Sequence, residues 1–212
     1  MANDPNLPFR TERDPLGEVR VPTDALYGAQ TGRAASWALS HHRMPPAIVH
    51  ALARLKGAAA GVHGAAGRLD AALATAIRRA ADEVAAGVHD EQFVLPLFQT
   101  GSGTSTNMNV NEVLANRAAE LLGLARGEKR VHPNDHVNLA QSSNDVVPSA
   151  AQLAVLFVGR TRLLPNVERV IERLHELADR HWAQVRDGRT HLMRATPIRF
   201  GQQFRGYAAQ LE

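Results

Sequence analysis

The sequence has no cysteine and few aromatic residues. Because none of the 212 residues is cysteine, disulfides, thiolate metal sites and cysteine-ligated iron–sulfur clusters are excluded. Aromatic residues make up only 5% of the chain, whereas alanine is frequent. Many small side chains and few rings favour closely packed helices over a β-sandwich. The composition therefore predicts a mostly α-helical fold.

Long apolar runs are also missing. No segment approaches the roughly 20 apolar residues of a membrane span, and the polar N-terminus lacks the pattern of a signal or transit peptide. These absences predict a cytoplasmic protein with no membrane partner. The net charge of +3 fits anionic partners. Because Arg and Glu interleave along the chain and no recognition motif occurs, we expect no nucleic-acid partner.

The hydrophobic periodicity predicts several helices separated by polar segments. Predicted helices begin after Pro46, after the N-cap Asp70, near Asn109 and near Val146, and the last of these is kinked or broken at Pro165. Extended pieces are expected near residues 17–21. The polar segments 99–106, 125–141 and 184–196 are predicted to be loops. A final helix is expected from about Thr196 and is expected to be still running at Glu212.

Two of the polar segments precede predicted helices and are rich in hydrogen-bond donors. In residues 100–104, Thr-Gly-Ser-Gly-Thr, the glycines allow a close approach of the backbone, and N–H groups before a helix suit an anion. This pattern alone is equally typical of a flexible connector. Residues 141–145 read Gln-Ser-Ser-Asn-Asp. A helix cap needs only one such residue, so this run favours a second helix start that could hold a carboxylate.

Histidine supplies the candidate proton-transfer group. His191 lies in Gly188–Leu192, before the predicted last helix, and a histidine can exchange protons near neutral pH. The chain has ten histidines, and a structural or surface role is the more common one for any of them. The run from His132 to His136 also contains an aspartate, but its spacing fits no zinc pattern. We therefore expect no metal ion.

In chain order, these segments resemble the fumarase/aspartase superfamily, and class II fumarate hydratases most closely. The resemblance covers nearly the whole chain, and ordered matches at several sites are more specific than any single motif. The matching segments are residues 100–112 (TGSGTSTNMNVNE), 132–135 (HPND), 141–145 (QSSND), 188–192 (GRTHL), 14–18, 26–31 and 43–45. The pairs Thr190-His191 and Ser142-Ser143 are typical of fumarases, whereas aspartases have Gln after that Thr and Ser-Thr-Asn at the second place.

The resemblance implies a fold, an assembly and a reaction. The fold is the mostly α fumarase/aspartase-like one, with an N-terminal helical domain over residues 1–141. Residues 142–212 would begin an incomplete long-helix bundle. The family forms homotetramers whose active sites draw segments from three subunits. Its reaction is the reversible hydration of fumarate to (S)-malate, a pair of small dicarboxylates, without metal or organic cofactor.

The resemblance also assigns residue roles. His191 would be the catalytic acid/base that polarises water or hydroxide. Donors to the substrate and its carbanion intermediate would come from Ser102, Gly103, Thr104, Ser142, Ser143, Asn144 and Thr190. A second dicarboxylate site near the surface would comprise Lys129, His132, Pro133, Asn134 and Asp135.

The sequence departs from the family pattern at three places. Lys129 replaces an Arg, which loses bidentate carboxylate binding, and Met193-Arg194 replaces a Gln-Asp pair. The Gly-Ser-Ser-x-Met-Pro loop with the catalytic serine is absent from the 212 residues, so we expect this chain to be inactive by itself. Three alternatives remain open: a non-catalytic remnant or association module, another superfamily lyase acting on argininosuccinate or adenylosuccinate, and, more remotely, a helical nucleic-acid-binding protein.

Overall fold

The computed structural model describes residues 8–37 and 39–212. In this part of the chain, seven α-helices and two antiparallel β-hairpins are present. The hairpins pair β1 (Phe9–Asp14) with β2 (Gly17–Pro22), and β3 (Val185–Thr190) with β4 (Met193–Arg199). The helices are α1 (Ala29–Ala35), α2 (Pro46–Ala65), α3 (Ala71–Ala85), α4 (Thr104–Leu121), α5 (Ser143–Val158), α6 (Leu164–Arg180) and α7 (Phe200–Ala208). The mostly α fold and the extended piece near residues 17–21 are confirmed.

The chain divides into two compact units. They are Met1–Ala154, of which residues 8–37 and 39–154 are described, and Val155–Glu212. The division falls inside α5. A domain boundary between residues 141 and 142 stays a prediction.

Small residues allow α2 and α3 to pack closely in the first unit. A Cβ atom added to Gly57 would lie 2.9 Å from the Cβ of Ala81, and one added to Gly64 would lie 2.7 Å from the Cβ of Ala74. The two helices therefore approach each other at glycine–alanine contacts. Leu52 of α2 and Ile77 of α3 are fully buried in the core, and each contributes about 1.5–3 kcal/mol of stability. The alanine-rich composition thus serves close helix packing.

Polar contacts fix both the start and the far end of α3. The Asp70 carboxylate accepts hydrogen bonds from the N–H groups of Ala72 and Leu73, at 2.8 and 3.1 Å, which confirms the predicted N-cap. Farther along, Arg117 of α4 donates from Nε to Glu83 of α3 at 2.6 Å. This guanidinium lowers the pKa of the Glu83 carboxyl to about 2. The ion pair therefore joins α3 to α4.

A buried carboxylate from α4 caps α1. Glu112 accepts hydrogen bonds from the backbone N–H groups of Gly28, Gln30 and Thr31 at 2.9–3.0 Å. Burial raises the pKa of Glu112, while these N–H groups act in the opposite direction. Glu112 lies in the segment 100–112 that carries the family resemblance, and its structural partner is the first turn of a helix far away in sequence.

The predicted loop at residues 184–196 is wrong, because this segment forms most of the β3–β4 hairpin. Most side chains of both strands are exposed, so the hairpin has no alternation of apolar and polar residues to reveal it. Because residues up to Arg199 pair with β3, α7 begins at Phe200 rather than near Thr196. It ends at Ala208, so the expectation that it continues to Glu212 is also wrong.

The structure also tests the predictions for the start of α4, for the segment 125–141 and for the region near Pro165. α4 starts at Thr104 and not near Asn109, because its first turns bury polar residues such as Asn107 that resemble a loop in sequence. Within the predicted loop at 125–141, Pro133–Val137 forms one π-helical turn. At the predicted kink or break near Pro165, the helical backbone continues, but a π-helical segment at Gly159–Leu163 interrupts the α-helical hydrogen bonding between α5 and α6.

Among the described residues, no helix is both long enough and apolar enough to cross a bilayer.

Candidate functional site

The starts of α4 and α5 meet at a cavity in the first unit. The cavity has a volume of about 500 Å³, and its lining includes Ser102 and Gly103 before α4 and Asn144 at the start of α5. Thr104 and Ser143, the sequence neighbours of the lining residues Gly103 and Asn144, are hydrogen-bonded through their hydroxyl groups at 3.0 Å. Five of the predicted substrate-binding residues are therefore brought together, although they come from segments about 40 residues apart.

The loop before α4 has a restricted backbone. Ser102 and Gly103 both have positive φ angles, 61° and 63°. A Cβ atom on Gly103 would lie 2.8 Å from Cγ1 of Val147 in α5, so glycine is required there by both conformation and space. A serine in the left-handed region is strained by roughly 1–3 kcal/mol. Such strain persists only where the surroundings fix the loop.

A side chain that the sequence did not single out braces this loop. Gln99 accepts a hydrogen bond from the Thr106 N–H at 2.9 Å and donates from Nε2 to the Thr106 hydroxyl at 2.8 Å. It thereby occupies one free N–H of the first turn of α4. The N-cap residue of α4 is Gly103, which has no side chain and therefore cannot cap the other N–H groups at that end.

The electrostatics of the cavity suit a carboxylate. Two helices begin there, and the positive ends of their dipoles favour an anion. The hydroxyl and amide groups of Ser102, Thr104, Ser143 and Asn144 add exposed or half-exposed donors. The arrangement can hold a small anionic ligand by hydrogen bonds.

A larger cavity lies on the other side of Gln99 and Thr100. It has a volume of about 780 Å³ and a mostly apolar lining that includes Trp37, Leu39 and Phe98. Its charged residues, Asp14 and Arg33, pair with each other at 2.9 Å. Both cavities have mostly apolar linings, but only the smaller one contains the predicted donors Ser102, Gly103 and Asn144, so we assign the candidate site to it.

The predicted second site forms a local cluster around His132. The His132 ring nitrogen Nδ1 accepts a hydrogen bond from the Asp135 N–H at 3.1 Å, and the His132 N–H donates to the His136 ring at 2.9 Å. Pro133 opens the π-helical turn, and Asn134 is exposed. Lys129, with φ of 55°, donates instead to the carbonyl of Arg13. Within residues 8–37 and 39–212, no three His, Asp or Glu side chains are grouped to hold a metal ion.

His191 lies in the second unit, at the tip of the β3–β4 hairpin. Thr190 and Met193 pair across the strands, so His191 and Leu192 form a two-residue turn with φ angles of 46° and 60°. Tight hairpin turns with two positive φ angles favour Asn-Gly, so His-Leu is strained there. The side chains of Thr190 and His191 are exposed. The hairpin presents a histidine at an exposed tip instead of placing it directly before a helix.

Arg194, which belongs to the Met193-Arg194 pair that departs from the family pattern, has an ion-pair partner in the hairpin. Arg194 approaches Asp187 of β3, with Nε and Oδ2 3.3 Å apart. Both side chains are exposed, so this ion pair contributes little to stability. Its effect is local, because it adds a cross-strand contact beside His191.

Comparisons with known proteins identify the family of this chain. The chain belongs to the lyase family, whose sequence model matches residues 17–212. Among curated relatives, it is 53% identical over 205 residues to "Fumarate hydratase class II 1" of Pseudomonas aeruginosa, covering 96% of this chain and 44% of that protein. It is 51% identical over 204 residues to "Fumarate hydratase class II" of Thermosynechococcus vestitus, covering 95% and 44%.

Solved structures give the same result for the fold. A "fumarate lyase:delta crystallin" from Brucella melitensis aligns with a TM-score of 0.91 and 42% identity, over 96% of this chain and 48% of that one. A recombinant class II fumarase from Schistosoma mansoni aligns with a TM-score of 0.90 and 42% identity, over 96% and 43%. The fumarase/aspartase-like fold is therefore shown. The chain spans less than half the length of these relatives.

Proposed function

We propose that this chain supplies part of the active site of a class II fumarate hydratase. The reaction is the reversible hydration of fumarate to (S)-malate, carried out in the cytoplasm by a homotetramer without metal or organic cofactor. The observation that carries the proposal is the hydrogen bond between the Thr104 and Ser143 hydroxyls, which joins two helix starts beside a cavity lined by Ser102, Gly103 and Asn144. The names of the curated relatives support the same reaction.

The chemistry requires donors and a proton-transfer group. In the hydration direction, oxygen adds to one olefinic carbon of fumarate and a proton adds to the other, so the charge of the intermediate spreads into a carboxylate. Fixed donors aimed at that carboxylate are commonly the largest catalytic contribution. Ser102, Gly103, Thr104, Ser142, Ser143, Asn144 and Thr190 are the proposed donors. His191 takes a proton from the attacking water and returns it to hydroxide in the reverse direction.

Exposed apolar side chains support association with further copies. Val155 at the end of α5 is 74% exposed, and Leu163 is 60% exposed. Leu156 and Phe157 are also exposed, whereas Leu153 is partly buried and packs against the core. Apolar surface of this kind favours association. In the proposed tetramer, His191 and the second site of Lys129, His132, Pro133, Asn134 and Asp135 act with segments of other subunits.

A binding experiment on the 212-residue chain tests the proposed site. Fumarate is titrated into isotope-labelled chain, and the amide NMR signals of residues 100–106 and 142–146 are followed. We expect shifts concentrated in these two segments. Thr104→Ala should weaken fumarate binding about tenfold or more, because it removes a hydroxyl that donates to a charged group.

Thr75→Ala is the matched control for this experiment. Thr75 lies on the exposed face of α3, where its hydroxyl donates to the Ala71 carbonyl at 2.8 Å. This variant should bind fumarate as the parent chain does. Shifts elsewhere on the chain, or equal affinities of the Thr104 and Thr75 variants, would contradict the assignment.

A further inference from the structure

Lys56 is the largest fully buried side chain in the described part of the protein. It lies on α2 within the apolar stripe that includes Leu52 and Ala60, and it is 0% exposed. Burial lowers the pKa of the Lys56 ammonium to about 7. No carboxylate of the described residues forms an ion pair with it. Because burying an unpaired cation is unfavourable, its presence calls for a specific partner.

The partners of Lys56 are amide oxygens in the turn before α5. Its Nζ donates to Oδ1 of Asn138 at 3.0 Å and to Oε1 of Gln141 at 3.3 Å. Between these residues, Ala140 has a φ angle of 55°, in the left-handed region. A strained residue there requires that the turn be held by its surroundings. Two hydrogen bonds from one ammonium meet that requirement.

The same cluster reaches the start of α4. Asn107, three residues after Thr104, donates from Nδ2 to Oδ1 of Asn138 at 3.3 Å. Asn138 in turn donates to the Gln141 carbonyl at 3.1 Å. Gln141 directly precedes Ser142 in the sequence. A single hydrogen-bonded cluster, with Lys56 and Asn107 buried and Asn138 and Gln141 half-buried, therefore connects α2, the first turns of α4 and the residue before α5.

We infer that Lys56 is a positioning residue for the proposed dicarboxylate site, holding the starts of α4 and α5 so that the Thr104 and Ser143 hydroxyls meet. The inference rests on the proposed function for its catalytic meaning, but the positioning itself can be measured without a ligand. An apolar side chain in this place would remove the only ammonium donor to Asn138 and Gln141 among the described residues. The turn would keep its own hydrogen bonds, from Gln141 Nε2 to the Val137 carbonyl and from Asn138 Nδ2 to the Gln141 carbonyl. It would lose both hydrogen bonds from Lys56 of α2, and we expect the first residues of α5 to be held less firmly.

The structural arm of the test uses amide hydrogen exchange in the 212-residue chain. The N–H groups of Asp145 and Val146 donate to the Ser142 carbonyl at 3.1 and 3.0 Å, so they report on the first turn of α5. Lys56→Met keeps the length of the side chain and removes its donors. We expect exchange at these two amides to accelerate about tenfold or more, with α3 amides changed far less.

Two controls separate positioning from general effects. Ile77→Ala removes a fully buried side chain of α3 outside the cluster, so it should accelerate exchange throughout the core without singling out Asp145 and Val146. Arg79→Met removes a positive charge from the exposed face of α3 and should change neither amide. Equal acceleration in α3 and α5 for Lys56→Met would overturn the inference.

Rescue gives a sharper readout, because the chain has no cysteine of its own. Lys56→Cys, alkylated with bromoethylamine in denaturant and refolded, regains an ammonium at nearly the original length. We expect this product to restore slow exchange, and the same variant alkylated with iodoethane, which adds two carbons and no hydrogen-bond donor, to leave it fast. If the Lys56 variants do not fold, Asn138→Ala removes the acceptor instead and should produce the same local pattern. Unchanged α5 exchange in Asn138→Ala would equally overturn the inference.

The functional arm measures the affinity of the same variants for fumarate. Lys56→Met should bind about tenfold more weakly, and aminoethylation of Lys56→Cys should restore the parent affinity. If the parent chain binds no fumarate, the proposed function fails for this chain, while the exchange data still decide the role of Lys56. If the parent binds and Lys56→Met binds equally well, Lys56 does not position the site and the proposed function stands.

Discussion

In a chimeric enzyme, His191→Asn is expected to lower kcat by about 10²–10⁴-fold with little change in KM. The chimera replaces the matched portion of the Pseudomonas aeruginosa relative with these 212 residues, so that a complete chain is assayed. Asparagine occupies similar space but cannot exchange a proton. A group that acts on the proton of water or hydroxide affects the transition state far more than substrate binding. The measurement is steady-state malate-to-fumarate conversion followed by absorbance.

The histidine prediction has a matched control in the same chain. His41 is exposed in the first unit and belongs to neither proposed site, so His41→Asn in the chimera should leave kcat unchanged. A kcat for His191→Asn equal to that of the His41 variant would remove His191 from the mechanism. A large rise in KM at constant kcat would assign it to substrate binding only.

Glu112→Ala is expected to lower the free energy of unfolding of the chain by about 3–5 kcal/mol. The substitution leaves the N–H groups of Gly28, Gln30 and Thr31 without their buried acceptor. Each hydrogen bond to a charged group is worth about 1.5–3 kcal/mol, and buried donors left unpaired add their desolvation penalty. Urea denaturation followed by circular dichroism measures the change.

Two further variants define the cause of that loss. Glu112→Gln retains the shape and one acceptor oxygen, so its effect should lie between those of the parent and Glu112→Ala. Glu128 is exposed, and Glu128→Ala should change the free energy of unfolding by less than about 0.5 kcal/mol. If Glu112→Ala matched Glu128→Ala, the carboxylate would not be holding α1.

Much of the first unit could be predicted from the sequence, because apolar periodicity and turn residues agree there. Asp70 is both a preferred cap residue and the start of an apolar stripe, and the structure uses it as such. In the second unit, the π-helical segment just before Pro165 agrees with the missing N–H of proline. The hairpin at 185–199 could not be predicted in this way, since neither face is buried and its turn is formed by His191-Leu192 instead of a typical turn pair.

The sequence predicts which segments form the candidate site, but it does not predict how their side chains are arranged in space. The runs 100–104 and 141–145 are rich in donors, but only the fold shows that Thr104 and Ser143 touch. The supporting residues gave weaker signals. Lys56 is a charged residue within the buried apolar stripe of α2, and a charge at such a position indicates a specific role. Glu112 and Gln99 act through partners that are distant in sequence or in a loop, so spacing alone does not reveal their contacts.

The central claim is that these 212 residues supply a working part of a fumarate-hydrating site but do not complete it. The most direct measurement is malate turnover by the chimera, with the purified 212-residue chain assayed beside it at equal concentration. We predict turnover by the chimera and none above background by the chain alone, because groups that act as a catalytic unit lose nearly all activity when several are missing. Robust turnover by the chain alone, or a folded chimera without activity, would contradict the account.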